Sequence, residues 1–91
     1  MSTAAIQFKI MPTGLDIDLK VLKEKIQNVV ESFESGVFSA AEERPIAFGL
    51  VALVITIALS ESEDSDLVEN KIAKIDEVSS VELLDYRRAV G

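Results

Sequence analysis

The stretch 46–59, IAFGLVALVITIAL, limits the fold more than any other part of the chain. Read with a period of two, its faces are Ala47, Gly49, Val51, Leu53, Ile55, Ile57, Leu59 and Phe48, Leu50, Ala52, Val54, Thr56, Ala58. Both faces are apolar. A stretch of this kind is expected as a strand central in its sheet, with something covering its second face. It falls short of the ~20 apolar residues of a membrane-spanning helix, and Pro45, Gly49 and Thr56 also argue against a span. No membrane partner is expected.

Other segments fall into place around this strand. In residues 4–11, Ile6, Phe8 and Ile10 point one way while Gln7 and Lys9 point the other, which predicts a strand with one face in the core. Met11-Pro12-Thr13-Gly14 ends it in a turn. Asp16 or Asp18 is then placed to cap a helix whose apolar positions are Leu19, Leu22, Ile26, Val29, Val30 and Phe33. Gly36 marks its exit. Residues 37–44 read as a short edge strand with a charged end, and Pro45 suits that position because an edge tolerates a missing N–H. After the central strand, Asp64 or Ser65 is expected to cap a second helix with a stripe of Leu67, Val68, Ile72 and Ile75. Residues 78–88 form the last strand.

The order strand–helix–strand, strand–helix–strand predicts an α+β protein of βαββαβ type. Right-handed crossovers fold it into a four-stranded antiparallel sheet with both helices on one face, a ferredoxin-like sandwich. The first and third strands are expected in the middle. One sheet face is left bare, and it would carry either the Phe48/Leu50/Val54 row or the Val51/Leu53/Ile55 row. Such a stripe marks an interaction surface, unless loops or a weak homo-oligomer cover it. All 91 residues are expected to form a single domain.

Composition removes most chemistry. The chain has no His and no Cys, so the usual general base, thiol nucleophile and zinc ligands are missing. Its glycines are isolated, with no phosphate loop among them. The acidic run Glu61–Asp66 lacks the glycine and distal glutamate of a calcium loop and reads as a solvated helix N-terminus. An acylphosphatase-like enzyme needs an arginine in the first loop, and residues 11–18 contain none. No cofactor or metal is expected. A net charge of −7 disfavours direct nucleic-acid binding and favours a partner with a basic surface. The start MSTAAIQFKI does not read as a signal peptide, and absence of cysteine fits a reducing interior, so a cytoplasmic location is expected.

Two features remain as candidate sites: Pro45-Ile46-Ala47-Phe48-Gly49-Leu50, where a turn enters the central strand, and Asp85-Tyr86-Arg87-Arg88, two adjacent cations in an acidic chain. From the residues alone, the plainer reading makes Phe48 a core side chain and Gly49 a bulge, and composition favours the arginines as two solvated charges.

The run Glu43-Arg44-Pro45-Ile46-Ala47-Phe48-Gly49-Leu50-Val51-Ala52-Leu53 resembles the archaeal translation elongation factor 1-beta family. The likeness extends to the Ile-Met-Pro turn at 10–12, the helix opening Asp16-Ile17-Asp18-Leu19 and the Asp-Tyr-Arg-Arg ending. It implies a ferredoxin-like fold and guanine-nucleotide exchange on elongation factor 1-alpha, the GTPase that delivers aminoacyl-tRNA to the ribosome. In the similar eukaryotic domain, a Pro-Ile-Gly-Phe-Gly loop and a penultimate lysine engage the GTPase, the lysine reaching the magnesium and phosphate region. The resemblance therefore implies partner-binding roles for Pro45, Phe48 and Gly49. An ungapped reading from Val78 puts Arg88 at the lysine position, with Arg87 as its rival. A planar guanidinium there replaces a point charge. The alternative from a different class is a small-molecule-sensing regulatory domain on the same fold, suggested by the Pro12-Thr13-Gly14-Leu15 turn.

Overall fold

Alternation in the first strand dictates which side of the sheet is covered. The computed structural model describes residues 2–88. Strand β1 (Thr3–Pro12) puts Ala4, Ile6, Phe8 and Ile10 on one face, and all four are buried. It pairs antiparallel with β3 (Val51–Ser60) in the register Ile6↔Ile57, Phe8↔Ile55 and Ile10↔Leu53, which aligns the two apolar rows. The edge strands are β2 (Val37–Pro45), beside β3, and β4 (Val78–Arg88), beside β1. The strand order is β2-β3-β1-β4, all pairs antiparallel, with β1 and β3 central as expected.

Helices α1 (Leu19–Glu31) and α2 (Ser65–Ala73) cover the aligned rows. From α1, Leu22, Ile26 and Val30 enter the core at four-residue spacing; α2 contributes Val68 and Ile72. Of the two candidate caps on α1, Asp18 is the one used: its carboxylate accepts from the backbone N–H of Lys20 and Val21. Asp64 plays the same part for α2. Replacing Asp18 by Ala is expected to cost about 1 kcal/mol. That lowers the melting temperature by roughly 5 °C, measurable by circular dichroism, and Asp18→Asn should retain most of the cap. An ion pair from Lys25 to Glu77 ties α1 to the turn before β4. The hydrogen bond from the Lys25 ammonium, followed by a backbone hydrogen bond, holds the Glu77 carboxyl below the ordinary glutamate range against the opposing effect of desolvation.

Two expectations need correction. The central strand begins at Val51, not Ile46; residues 46–50 leave the sheet altogether. As a result Phe48 and Leu50 are not part of any strand row. The uncovered face also differs from the expected apolar stripe. The Val51/Leu53/Ile55 row lies toward the helices, with Leu53 and Ile55 in the core. The open face instead carries ion pairs Lys9–Glu82, Arg44–Glu42 and Arg87–Asp85, and a hydrogen bond from Gln7 to Thr56. Ala52 and Val54 also sit on this face but are buried, flanked in register by Arg44 and by Glu42 and Lys9. Long charged side chains can cover small apolar neighbours with their aliphatic stems while keeping their heads in water. The bare face is therefore polar, and the exposed apolar surface lies elsewhere.

Candidate functional site

The most exposed apolar side chains gather at one end of the sheet, where β2 hands over to β3. After Pro45 the chain is extended at Ile46, then turns sharply through Ala47–Gly49. Two hydrogen bonds close the loop: Ile46 N–H donates to the Leu50 carbonyl at 2.7 Å and Leu50 N–H donates to the Ala47 carbonyl at 3.2 Å. The turn needs two successive residues in left-handed backbone conformation, Phe48 (φ 61°) and Gly49 (φ 79°). Glycine adopts that conformation freely; for phenylalanine it costs about 1–2 kcal/mol. Phe48 gains nothing from the core in return, because it is 94% exposed. A large aromatic held in a strained turn and kept in water is a feature that folding does not explain and that binding would.

Two neighbours share this end. Ile46 is 40% exposed, and Leu15, in the loop between β1 and α1, is 70% exposed. Leu15 Cδ2 lies 3.7 Å from the point where a Cβ on Gly49 would stand, so the two loops touch. A small depression of about 50 Å3 between them is lined by Pro12, Gly14, Leu15, Ile17, Gly49 and Val51, together with Leu19. Beside it, between the start of α1 and β2, runs a wider groove of about 570 Å3 with Lys20, Lys23 and Glu43 among its walls and Ala41 and Leu53 in its lining. Sequence reasoning placed Ile46 in a candidate loop and Leu15 in the turn behind the small-molecule alternative, but gave neither a partner-binding role. For Leu15 the available signal was an apolar residue in a turn, outside any helix or strand period that would bury it.

The arginines are at the other end. Register pairs Arg88 with Ala4 at the start of β1, whereas Val78 pairs with Pro12 at its finish. Eight residue steps along β1 separate Ala4 from Pro12, a span of about 26 Å at ~3.3 Å per step. The structure thus brings Pro45, Phe48 and Gly49 together and holds Arg87 and Arg88 apart from them. Arg88 Nε is 3.0 Å from Glu61 Oε1, in the loop after β3, and Arg87 Nε is 2.8 Å from Asp85 Oδ2. Both arginine side chains remain largely exposed, at 75% and 80%. Residues 89–91, which follow them in the sequence, lie outside the described residues. Among the described residues no cluster of carboxylates is arranged to hold a metal ion, and no helix is long and apolar enough to cross a membrane.

Solved structures share the architecture at low sequence identity. The ACT domain of a GTP pyrophosphokinase from Chlorobium tepidum superposes with a TM-score of 0.62 at 16% identity, covering 88% of this chain and 96% of that one. The C-terminal domain of the MgtC protein from Mycobacterium tuberculosis gives 0.65 at 9% identity, covering 94% and 87%. These likenesses show the ferredoxin-like fold and nothing of function. Sequence relatives are more specific. Elongation factor 1-beta of Methanosphaera stadtmanae is 42% identical over 89 residues, which is 97% of this chain and 98% of the relative. Elongation factor 1-beta of Methanocaldococcus jannaschii is 40% identical over 90 residues, 98% of this chain and 100% of the relative. The family model described as the EF-1 guanine nucleotide exchange domain matches residues 5–88, from Ala5 near the start of β1 to Arg88. With that span and those relatives, the chain belongs to the EF-1 guanine nucleotide exchange domain family, among the archaeal elongation factor 1-beta proteins.

Proposed function

We propose that this chain promotes GDP release from elongation factor 1-alpha by gripping the GTPase at two separate points, with Phe48 at one end of the sheet and Arg88 at the other. The observation that carries the reading is Phe48, strained at φ 61° and 94% exposed with no role in the core. GDP is held on a GTPase mainly through its phosphates and Mg²⁺. A protein with no reactive side chains can weaken that hold only by binding the emptied GTPase more tightly than the occupied one, and linkage then makes nucleotide weaken the factor equally. Thousandfold faster release requires about 4 kcal/mol of barrier reduction.

The two ends divide this task. A span of about 26 Å along β1 is too long for Phe48 and Arg88 to reach one Mg²⁺ together. The resemblance assigns the cation to the magnesium and phosphate region, so Arg88 substitutes there for part of the metal's charge and Phe48 docks at a distance from the nucleotide. To do so Arg88 must leave Glu61, an exposed ion pair of the kind worth at most ~1 kcal/mol. The acidic surface speeds encounter with a basic partner more than it tightens the complex.

Release of a fluorescent guanine nucleotide from the GTPase is the test. The wild-type chain should accelerate release, and Arg88→Ala should lower the maximal rate at least roughly tenfold, the ~1.4 kcal/mol of one lost charge contact, while Arg87→Ala stays near wild type. No acceleration by the wild-type chain would end the exchange reading. Loss confined to Arg87→Ala would move the cationic role to that residue.

A further inference from the structure

We propose that Leu15 is a second docking anchor, entering the same apolar hollow of the GTPase as Phe48, so that the tip binds with two prongs. This rests on the exchange reading above and extends it to a residue outside the Phe48 loop. Leu15 is 70% exposed, the second most exposed large hydrophobic side chain of the described residues after Phe48. Its loop is nonetheless fixed at both ends. Thr13 N–H donates to the Glu77 carbonyl at 2.9 Å, and Asp18 is committed to capping α1. The Phe48 loop is closed by its own two hydrogen bonds. Two hydrogen-bonded loops from different parts of the chain therefore hold apolar side chains in water, Leu15 on one and Phe48 with the half-exposed Ile46 on the other, and they meet at Gly49. Chain entropy already spent in folding is not spent again on binding, and pre-ordered apolar groups make effective anchors.

The polar surroundings restrict what can fit. The open sheet face carries ion pairs, and the neighbouring groove is walled by Lys20, Lys23 and Glu43. The tip brings together the two most exposed large apolar side chains of the described residues, Phe48 and Leu15, on loops that meet at Gly49. Its complement is a concave apolar patch wide enough for a phenyl ring and an isobutyl group side by side. A flat or charged surface would leave both in water.

The experiment measures release of fluorescent GDP against factor concentration, with melting temperatures recorded alongside. Leu15→Ala should raise the concentration for half-maximal acceleration roughly tenfold and leave the maximal rate and the melting temperature unchanged. Leu15→Met should behave as wild type, and Leu15→Asp should be worse than Leu15→Ala. Combined with Phe48→Ala, the loss should fall short of the product of the single losses, because both side chains fill one hollow. Wild-type concentration dependence in Leu15→Asp, with Phe48→Ala impaired, would overturn the role of Leu15 while sparing the exchange reading. A lowered melting temperature in Leu15→Ala, with Leu15→Asp no worse in exchange, would reduce Leu15 to a brace for the turn. Absence of acceleration by the wild-type chain would remove both proposals.

Discussion

Phe48→Ala is expected to slow GDP release at limiting factor concentration by roughly 30- to 100-fold, equivalent to about 2–2.7 kcal/mol. Its melting temperature should stay within experimental error of wild type. The pairing of these outcomes is what gives the prediction force. A core phenylalanine cut to alanine costs about 3–5 kcal/mol of stability, but Phe48 is 94% exposed and makes no such contribution. Alanine at φ 61° keeps most of the left-handed strain, so little stability returns either. Phe48→Gly separates the two effects: it relieves the strain and should raise stability by about 1 kcal/mol, while impairing exchange at least as much as alanine. A variant that is more stable and less active marks a position where function, not folding, fixes the residue. Exchange at the wild-type rate in Phe48→Ala would leave the strained turn without a purpose and dispose of the tip as a docking point.

Most of the fold was legible because periodicity and burial agree in it. Alternation at Ile6, Phe8 and Ile10 and the three- and four-residue spacing of Leu22, Ile26 and Val30 each report one buried face, and those faces meet in one core. The doubled strand–helix–strand order then leaves few topologies. The start of β3 was misread because residues 46–50 are as apolar as residues 51–59. Hydrophobicity does not distinguish a side chain destined for the core from one held out for a partner. The local signals were Pro45 and Gly49, a proline and a glycine bracketing three residues, which favour a turn over a continuous strand. The polarity of the open face was hidden for another reason. Val54 is covered because Lys9 and Glu42 stand opposite it, and register between strands is not written in either strand alone. By contrast, the separation of Phe48 from Arg88 followed from the topology itself. In an antiparallel sheet with this order, the entry to β3 and the exit of β4 fall at opposite ends.

Gly36→Ala is expected to be the most damaging single-methyl change in the chain, costing about 3 kcal/mol and lowering the melting temperature by roughly 15 °C. The reason is space, not backbone conformation. A Cβ at Gly36 would stand 2.0 Å from the Val30 carbonyl oxygen and 3.0 Å from its carbon. That carbonyl cannot retreat easily. Val30 is fully buried in the core, and its oxygen accepts from Phe33 N–H in the last turn of α1. The glycine side is pinned as well. Gly36 N–H donates to the Phe33 carbonyl, Ser35 Oγ accepts from Ser60 N–H at 2.9 Å, and Ser35 N–H donates to Glu63. Relief therefore means unwinding the end of α1 or pulling the turn away from β3, and either exposes apolar surface. Of a total stability of about 5–14 kcal/mol for a domain of this size, such a loss is a large fraction. Gly14→Ala supplies the control. Its Cβ would meet only Asp16 Oδ1, at 2.9 Å, the far end of an exposed side chain that can swing aside. That variant should melt within about 2 °C of wild type, a change below ~0.5 kcal/mol. Equal melting of the two variants would mean that the α1–β2 turn gives way under a methyl group, and that the close approach to Val30 does not constrain the fold.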